Sequence, residues 1–583
     1  MTTKDELEEH FSEMGVEVCD PVLEKCLELC SVYSVGPEEL VEEWVSFSLT
    51  HLNGATDKPT AENIGLMERS VLAKKETKPE TPKSKPLTVY NNANTSSHMN
   101  DDAVLSLYNI TPKSRTCQKR INVTPTVAAD EVSSHRSPNT FSPATYTLTA
   151  ITPNGTFKDR TNKNQVLCSH GKEFDSLPKA GALEVSIEPY GPVIPPNSKY
   201  MYRQLSDDAD ILFDTTTAIG SYIIKKYGLP DPKSLTTASE VDFVCIGRVC
   251  CDGNGRLNES SVLLEGCRWD MNSASMPLRL PSGVEYALFP GQIIVVEGKN
   301  PSRNCLIATK IYSDASVSLS TELPSFQSNG VLSMVVASGP FTFNDSMLYE
   351  PLEDLLLHVE KLEPHVFILI GPFVDAEHPL FTENVSFLAT PFNEYYEQIM
   401  NKLSDRFRGK KTKLVVVSSM RDACSHPVYP TPPTLSHGAA QAFSDPCLLN
   451  ISGLIVGATS TDVLMHLSKE EIAGQSKTDR MTRLVSHLFS QQSFYPLYPA
   501  SEEVNLDLSL WEDYAQLTEM PHILLLPSKL RYFIKLVNGC LVINSEYLAK
   551  GLSGGSFVRI TVEPSSDRSW SPEKNISAQI MKV

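Results

Sequence analysis

Two acids and four histidines in the C-terminal half are the side chains best suited to chemistry: Asp375, Asp422, His378, His426, His437 and His466. Carboxylates and imidazoles that converge can hold a divalent cation and activate water on it. Their spacings follow no ligand rule, and an isolated histidine is ordinarily a satisfied structural residue. The thirteen cysteines offer no better set. They are odd in number and never spaced as CxxC, so they read as free thiols of a reducing compartment. The expectation is no metal, no cofactor and no catalytic residue.

A different chemistry suggests itself upstream. Thr81, Thr111, Thr124, Ser137, Ser142 and Thr152 each precede a proline, several with Lys or Arg nearby, as in Thr111-Pro112-Lys113-Ser114-Arg115. Clustered in one accessible segment, they read as proline-directed phosphorylation sites that add switching charge to it. Residues 76–165 have few large apolar side chains and no periodicity. Such a segment cannot bury enough surface to offset its chain entropy, so it is expected to be a disordered linker.

The elements around these residues fall into blocks. Residues 1–75 read as a small helical bundle. Leu7, Phe11 and Met14 share one helical face, and Val22, Cys26, Leu29, Cys30 and Tyr33 share another. Asp20-Pro21 supplies a cap and a first-turn proline, and Leu40, Val41, Trp44 and Phe47 form a third stripe. A bundle this small suits protein docking. Residues 166–320 comprise a connecting segment and a β-barrel of OB type, with strands near 241–249, 261–266, 288–298 and 305–312. Single-strand binding by an OB-fold needs exposed aromatics and a basic groove. Phe243, Tyr286, Phe289 and Tyr312 stand at strand positions that favour the core, and Arg248, Arg256, Arg268 and Lys310 are interleaved with acids. The chain's formal net charge of −19 also opposes phosphate backbones. Little direct DNA binding is expected.

Residues 321–583 alternate strands and helices, which implies an α/β layered domain. Chemistry in such folds sits in the loops after the strands. Those loops read Ser338-Gly339-Pro340, then Gly371-Pro372-Phe373-Val374-Asp375, then Ser418-Ser419-Met420-Arg421-Asp422, Gly457-Ala458-Thr459-Ser460, and Pro527-Ser528-Lys529-Leu530. Their placement resembles that of the calcineurin-like metallophosphoesterases, whose ligands follow successive strands as D-x-H, G-D-x-x-D, G-N-H-D/E, an isolated His and G-H-x-H. Nearly every ligand is replaced here. Only Asp375 and Asp422 remain, and two carboxylates do not hold a dinuclear centre.

With the OB-type barrel, the chain resembles the B-subunit family of replicative DNA polymerases. The motifs Leu369–Asp375, His426–Pro430, Phe494–Pro499, Gly457–Asp462 and Leu526–Phe533 carry that resemblance, and the helical module with its Ser/Thr-Pro linker points to the polymerase alpha branch. The resemblance implies a multidomain α+β protein with an inactive phosphoesterase-like domain. It implies a non-catalytic nuclear subunit that docks the catalytic subunit's C-terminal domain beside the small and large primase subunits. Other replication proteins would meet the N-terminal module, and no membrane is involved. The alternative is a metal-dependent phosphoesterase or exonuclease with an unconventional metal site.

Overall fold

The computed structural model describes residues 160–583 apart from short stretches (182, 254, 268–274, 282, 325–329, 384–389, 435–437, 475, 477 and 565–569), together with Phe157, residues 18–33 and isolated positions flanking them. The chain divides into two compact units, Met1–Glu131 and Val132–Val583.

In the first unit α1 spans Asp20–Tyr33. Leu7, Phe11, Val22, Cys26, Leu29, Leu40, Val41 and Trp44 are buried in one cluster with Ile64 and Met67. The helical stripes read from the sequence thus meet in a common core. Asp20 is already helical and pairs with Lys4 at 2.6 Å instead of capping. Met14 and Phe47 lie outside the described residues.

The second unit opens with β1 (Val166–His170), β2 (Ile187–Pro189) and α2 (Leu205–Tyr227). A closed five-stranded barrel follows, ordered β3 (Ser239–Cys251), β4 (Val262–Glu265), β5 (Ser275–Arg279), β8 (Leu306–Tyr312) and β7 (Ile293–Asn300). The short β6 (Tyr286–Leu288) precedes β7. Sequence reading merged β6 with β7 and missed β5, because three- to five-residue strands give too few alternations to register. Phe243, Cys245, Leu264, Leu278, Ile294 and Val296 fill the barrel core.

The C-terminal half contains β9 (Leu332–Ser338), α3 (Glu350–Leu362), β10 (Val366–Ile370), α4 (Phe392–Phe407), β11 (Lys413–Val417), β12 (Ala440–Phe443), β13 (Cys447–Ile451), β14 (Leu454–Ala458), α5 (Val463–Glu470), β15 (Ile472–Gly474), α6 (Arg480–Ser490), α7 (Leu508–Tyr514), β16 (Ile523–Leu525), β17 (Phe533–Val537) and β18 (Cys540–Asn544). The chain closes with β19 (Ala549–Lys550), β20 (Ser553–Gly554), β21 (Ser556–Val562) and β22 (Ile576–Lys582). One sheet runs β1-β22-β21-β9-β10-β11-β12, the other β17-β18-β16-β14-β13-β2.

Alternation along the strands sets the layers. Met334, Val336, Ile368, Ile370, Val415 and Val417 share a core with Val456, Ile523, Leu541 and Ile543 of the other sheet. Val335, Ala337, Phe367 and Leu369 face α3 and α4 instead. Leu524 and Val542 pack with α5, α6 and α7. The result is helix, sheet, sheet, helix. Strands buried on both faces read as unbroken apolar runs, which is why β9, β10 and β11 were legible in the sequence.

The connecting segment belongs to this sandwich as much as to the barrel. β1 pairs with β22 and β2 with β13, each at a sheet edge. Three positions inside the segment read as linker make contacts with the sandwich. Phe157 stacks on Phe343 with ring centroids 5.1 Å apart, Arg160 donates to the Val583 carbonyl at 2.9 Å, and Arg160 and Lys163 both pair with Asp354. Single anchors spaced along polar sequence leave no periodic signal.

Candidate functional site

The ends of β9, β10 and β11 bring together the loops that would carry ligands. Parallel pairing sets Ser338 beside Ile370, and Ile370 beside Val417, so the three loops leave the sheet at one level. They are packed against one another. A Cβ on Gly339 would run into the Pro372 carbonyl. One on Gly371 would lie 2.8 Å from Ser419 Cβ and 2.9 Å from Asp422 Oδ2. Only glycine lets these backbones approach so closely.

Asp375 and Asp422 do meet, as partners in an antiparallel bridge. Their roles diverge. Asp375 Oδ2 accepts from Arg421 Nη2 at 2.6 Å, and Glu377 shares the same nitrogen at 3.0 Å. A guanidinium therefore sits beside the carboxylate where a cation would bind. Asp422 is fully buried. Its Oδ1 accepts from the Phe373 and Val374 amides at 2.5 and 2.8 Å, while Oδ2 has no partner. Burial pushes its carboxyl up to about 7, against the pull of those two amides.

The histidines do not join them. His378 bonds the Phe343 carbonyl through Nε2 at 2.8 Å and accepts from the Leu380 amide at 3.2 Å. His426 pairs with the Tyr200 hydroxyl at 2.9 Å. His466 lies between Tyr495 and Glu503 at 3.1 and 3.4 Å, and burial holds it below the usual imidazole range. His437 lies outside the described residues, as do Thr81, Thr111, Thr124, Ser137, Ser142 and Thr152. Among the described residues no three His, Cys, Asp or Glu side chains gather as a metal site.

Beside this junction lies a small cleft lined by Glu377, Arg421, Asp462, Glu503, Lys529 and Tyr547, among others, with about 30 Å³ of free room. Its far wall is a polar hub. Asp462 caps α5 by accepting from the Met465 amide at 3.0 Å, and its other oxygen accepts from the Lys529 amide at 2.7 Å and the Tyr547 hydroxyl at 3.1 Å. Asp445, unremarked in the sequence, is buried beneath. It accepts from Thr459 Oγ1 (2.6 Å), the Ser460 amide (2.9 Å), Ser460 Oγ (2.5 Å) and Thr461 Oγ1 (3.0 Å). The Thr459-Ser460-Thr461 run was the available signal, since three adjacent hydroxyls at a buried strand end call for an acceptor.

The four aromatics that the sequence offered as stacking candidates are not free to stack. Phe243, Tyr286, Phe289 and Tyr312 are buried. Arg248 pairs with Glu265 and lies 5.1 Å from the Tyr498 ring; Lys310 lies against Tyr312; Arg256 is exposed and Arg268 is outside the described residues. The barrel is clamped to the sandwich. β6 pairs with β15, Gln491 bonds both backbone groups of Ile293 at 2.7 and 3.0 Å, and the Tyr498 amide donates to the Pro290 carbonyl at 3.0 Å.

The chain that builds this barrel, sandwich and junction is similar in sequence to several proteins along most of its length. The DNA polymerase alpha B-subunit of Rattus norvegicus is 32% identical over 605 aligned residues, covering 99% of both chains. That of Drosophila melanogaster is 31% identical across 96% of this chain and 97% of its own, and that of Saccharomyces cerevisiae 26% identical across 70% and 67%. The chain belongs to the B-subunit family of DNA polymerase alpha. Three family models fall on the blocks described above. The model for the N-terminal region of the alpha B-subunit matches residues 5–74, the one for its OB domain 209–314, and the DNA polymerase alpha/epsilon B-subunit model 334–535. In this family member the OB match takes in most of α2 and the barrel, while the 334–535 match spans every strand-end loop of the junction and the cleft lining apart from Tyr547.

Proposed function

We propose that the chain is a non-catalytic accessory subunit of the DNA polymerase alpha–primase assembly. It acts in the nucleus and scaffolds the catalytic subunit beside the two primase subunits. The observation that carries the absence of catalysis is the Arg421–Asp375 ion pair at 2.6 Å. A phosphoesterase-like sandwich needs two cations at its strand ends. Here a guanidinium holds one surviving carboxylate, backbone contact fills the space beside it, and the other carboxylate is buried against two amides.

Membership of the family supports the partnership with the catalytic subunit and primase. The barrel and sandwich, locked by Gln491 and the β6–β15 pair, give the preorganised surface that a stable subunit contact requires. The N-terminal module recruits further replication proteins, and phosphorylation of the Ser/Thr-Pro sites tunes that recruitment.

The test has two arms. The purified chain should hold no stoichiometric manganese or zinc by elemental analysis and leave phosphodiesters intact. Co-expressed with the catalytic subunit's C-terminal region, it should co-elute with it whether or not residues 1–75 are present. Two metal ions per chain with hydrolysis abolished by Asp375→Ala would sink the first arm. Loss of co-elution on deleting residues 1–75 would sink the second.

A further inference from the structure

The approach to α2 exposes three large apolar side chains. Met201, Tyr202 and Leu205 are 55%, 80% and 87% exposed within five residues. Large apolar side chains exposed together mark interaction surfaces more than singly scattered ones do. Leu205 is the first residue of its helix, where a polar residue would serve the helix as well or better.

The backbone beneath them is fixed. The Met201 amide donates to Asp507 Oδ2 at 2.5 Å, the Tyr200 hydroxyl pairs with His426 at 2.9 Å, and Arg203 reaches Glu512 at 3.8 Å. The ledge is thus seated on the sandwich at the start of α7, while α2 continues onto β3 and β7 of the barrel. Its surroundings are acidic. Asp207 and Asp208 lie in the first turn of α2, and Glu512 and Asp513 on α7. Arg203 is drawn to Glu512, and Lys199 lies 5.8 Å from the Tyr202 ring.

An apolar centre with an acidic rim fits one chemistry. We propose that this ledge docks a segment of the polymerase catalytic subunit in which apolar anchors are flanked by lysine or arginine. The assignment rests on the accessory-subunit reading above and adds the place and the complementarity. Tyr202 and Leu205 supply the anchoring contacts, and the rim carboxylates steer the basic flanks.

The full chain is titrated with the catalytic subunit's C-terminal region by calorimetry. The double substitution Tyr202→Ser with Leu205→Ser should weaken binding about thirtyfold. Asp207→Lys with Asp208→Lys should weaken it about three- to tenfold at low salt and less at high salt. Leu348→Ser, which alters a 73% exposed leucine elsewhere, should change nothing. Each altered residue is at or near the surface, so unchanged melting will show that the fold is intact. Wild-type affinity in the Tyr202/Leu205 variant overturns the ledge while leaving the accessory reading standing. An unaffected charge-reversal variant overturns the basic character of the partner, and equal weakening by Leu348→Ser overturns the ledge's specificity. No binding by the unaltered chain removes the accessory reading and the ledge with it.

Discussion

Asp422 and Asp445 are two carboxylates of one domain, both completely buried, at the strand ends of different sheets. Asp445 is surrounded by donors, with three hydroxyls and an amide shared over its two oxygens. Asp422 has two amides on one oxygen and nothing on the other. Burial raises the pKa of both. The difference separates a carboxylate that ties loops together from one left half unpaired. At Asp445 every lone pair in use ties a loop down, whereas Asp422 keeps a carboxylate whose second oxygen faces no donor. In a metal-bearing site, that oxygen would face a cation; here its neighbour is the backbone of Gly371.

The sharpest way to break the comparison is Asp445→Ala. It would strand four buried donors, each costing about 1 kcal/mol or more when unsatisfied. The expected loss is above about 4 kcal/mol, enough to cost soluble expression. Denaturant unfolding with a loss below about 1 kcal/mol would show that Asp445 is not a hub.

Asp422→Asn should act in the opposite direction and depend on pH. The unfolded carboxyl titrates near 4 and the folded one at about 7. Below about pH 4 both states are protonated and the residue adds no pH dependence. Between about 4 and 7 the folded state holds the extra proton, so stability is lost as pH rises through that window. The full conversion is about 4 kcal/mol, and the amide's second donor, lacking an acceptor, offsets part of it. The variant should be about 2 kcal/mol more stable than the unaltered chain at pH 8 and no more stable at pH 5. A variant equally destabilised at both pH values would mean that Asp422 works as a bound anion.

How much of this was legible depended on the length scale of the signal. Unbroken runs such as Val366–Ile370 announced buried parallel strands, and the i, i+3, i+4 spacing of Leu352, Leu355, Leu356 and Val359 announced α3. The strand-end loops were located correctly because they follow those runs. The short strands β2 and β5 were not read and β6 was merged with β7, since their hydrogen bonds come from distant partners such as β13, β8 and β15. Among the site residues, the Arg421–Asp375 pair was half legible: the sequence placed a positive charge near the lost ligands but not the shared claim of Asp375 and Glu377 on it. Asp445 was missed, because the Thr459-Ser460-Thr461 run calls for an acceptor without saying which acid fourteen to sixteen residues away supplies it.

The smallest expected effect probes the link between Asp375 and Asp422. Arg421 is charged, mostly buried, and paired with Asp375, which has little solvent of its own. Arg421→Gln keeps a donor within reach of Asp375 while removing the charge. Losing one partner of a largely buried pair costs more than a surface pair, but Glu377 is itself half exposed and tolerates the loss. A net destabilisation of about 1 kcal/mol is expected at pH 7. The informative readout is the pH profile. Arg421 lowers the Asp422 carboxyl's affinity for protons, and Asp375 raises it. Without the guanidinium, Asp375 acts on Asp422 unopposed, and the Asp422 proton should be held to higher pH. The window over which stability falls should therefore extend upward in Arg421→Gln and vanish in the double variant with Asp422→Asn. An unchanged window would mean that the two carboxylates do not sense each other, and that Arg421 serves only Asp375.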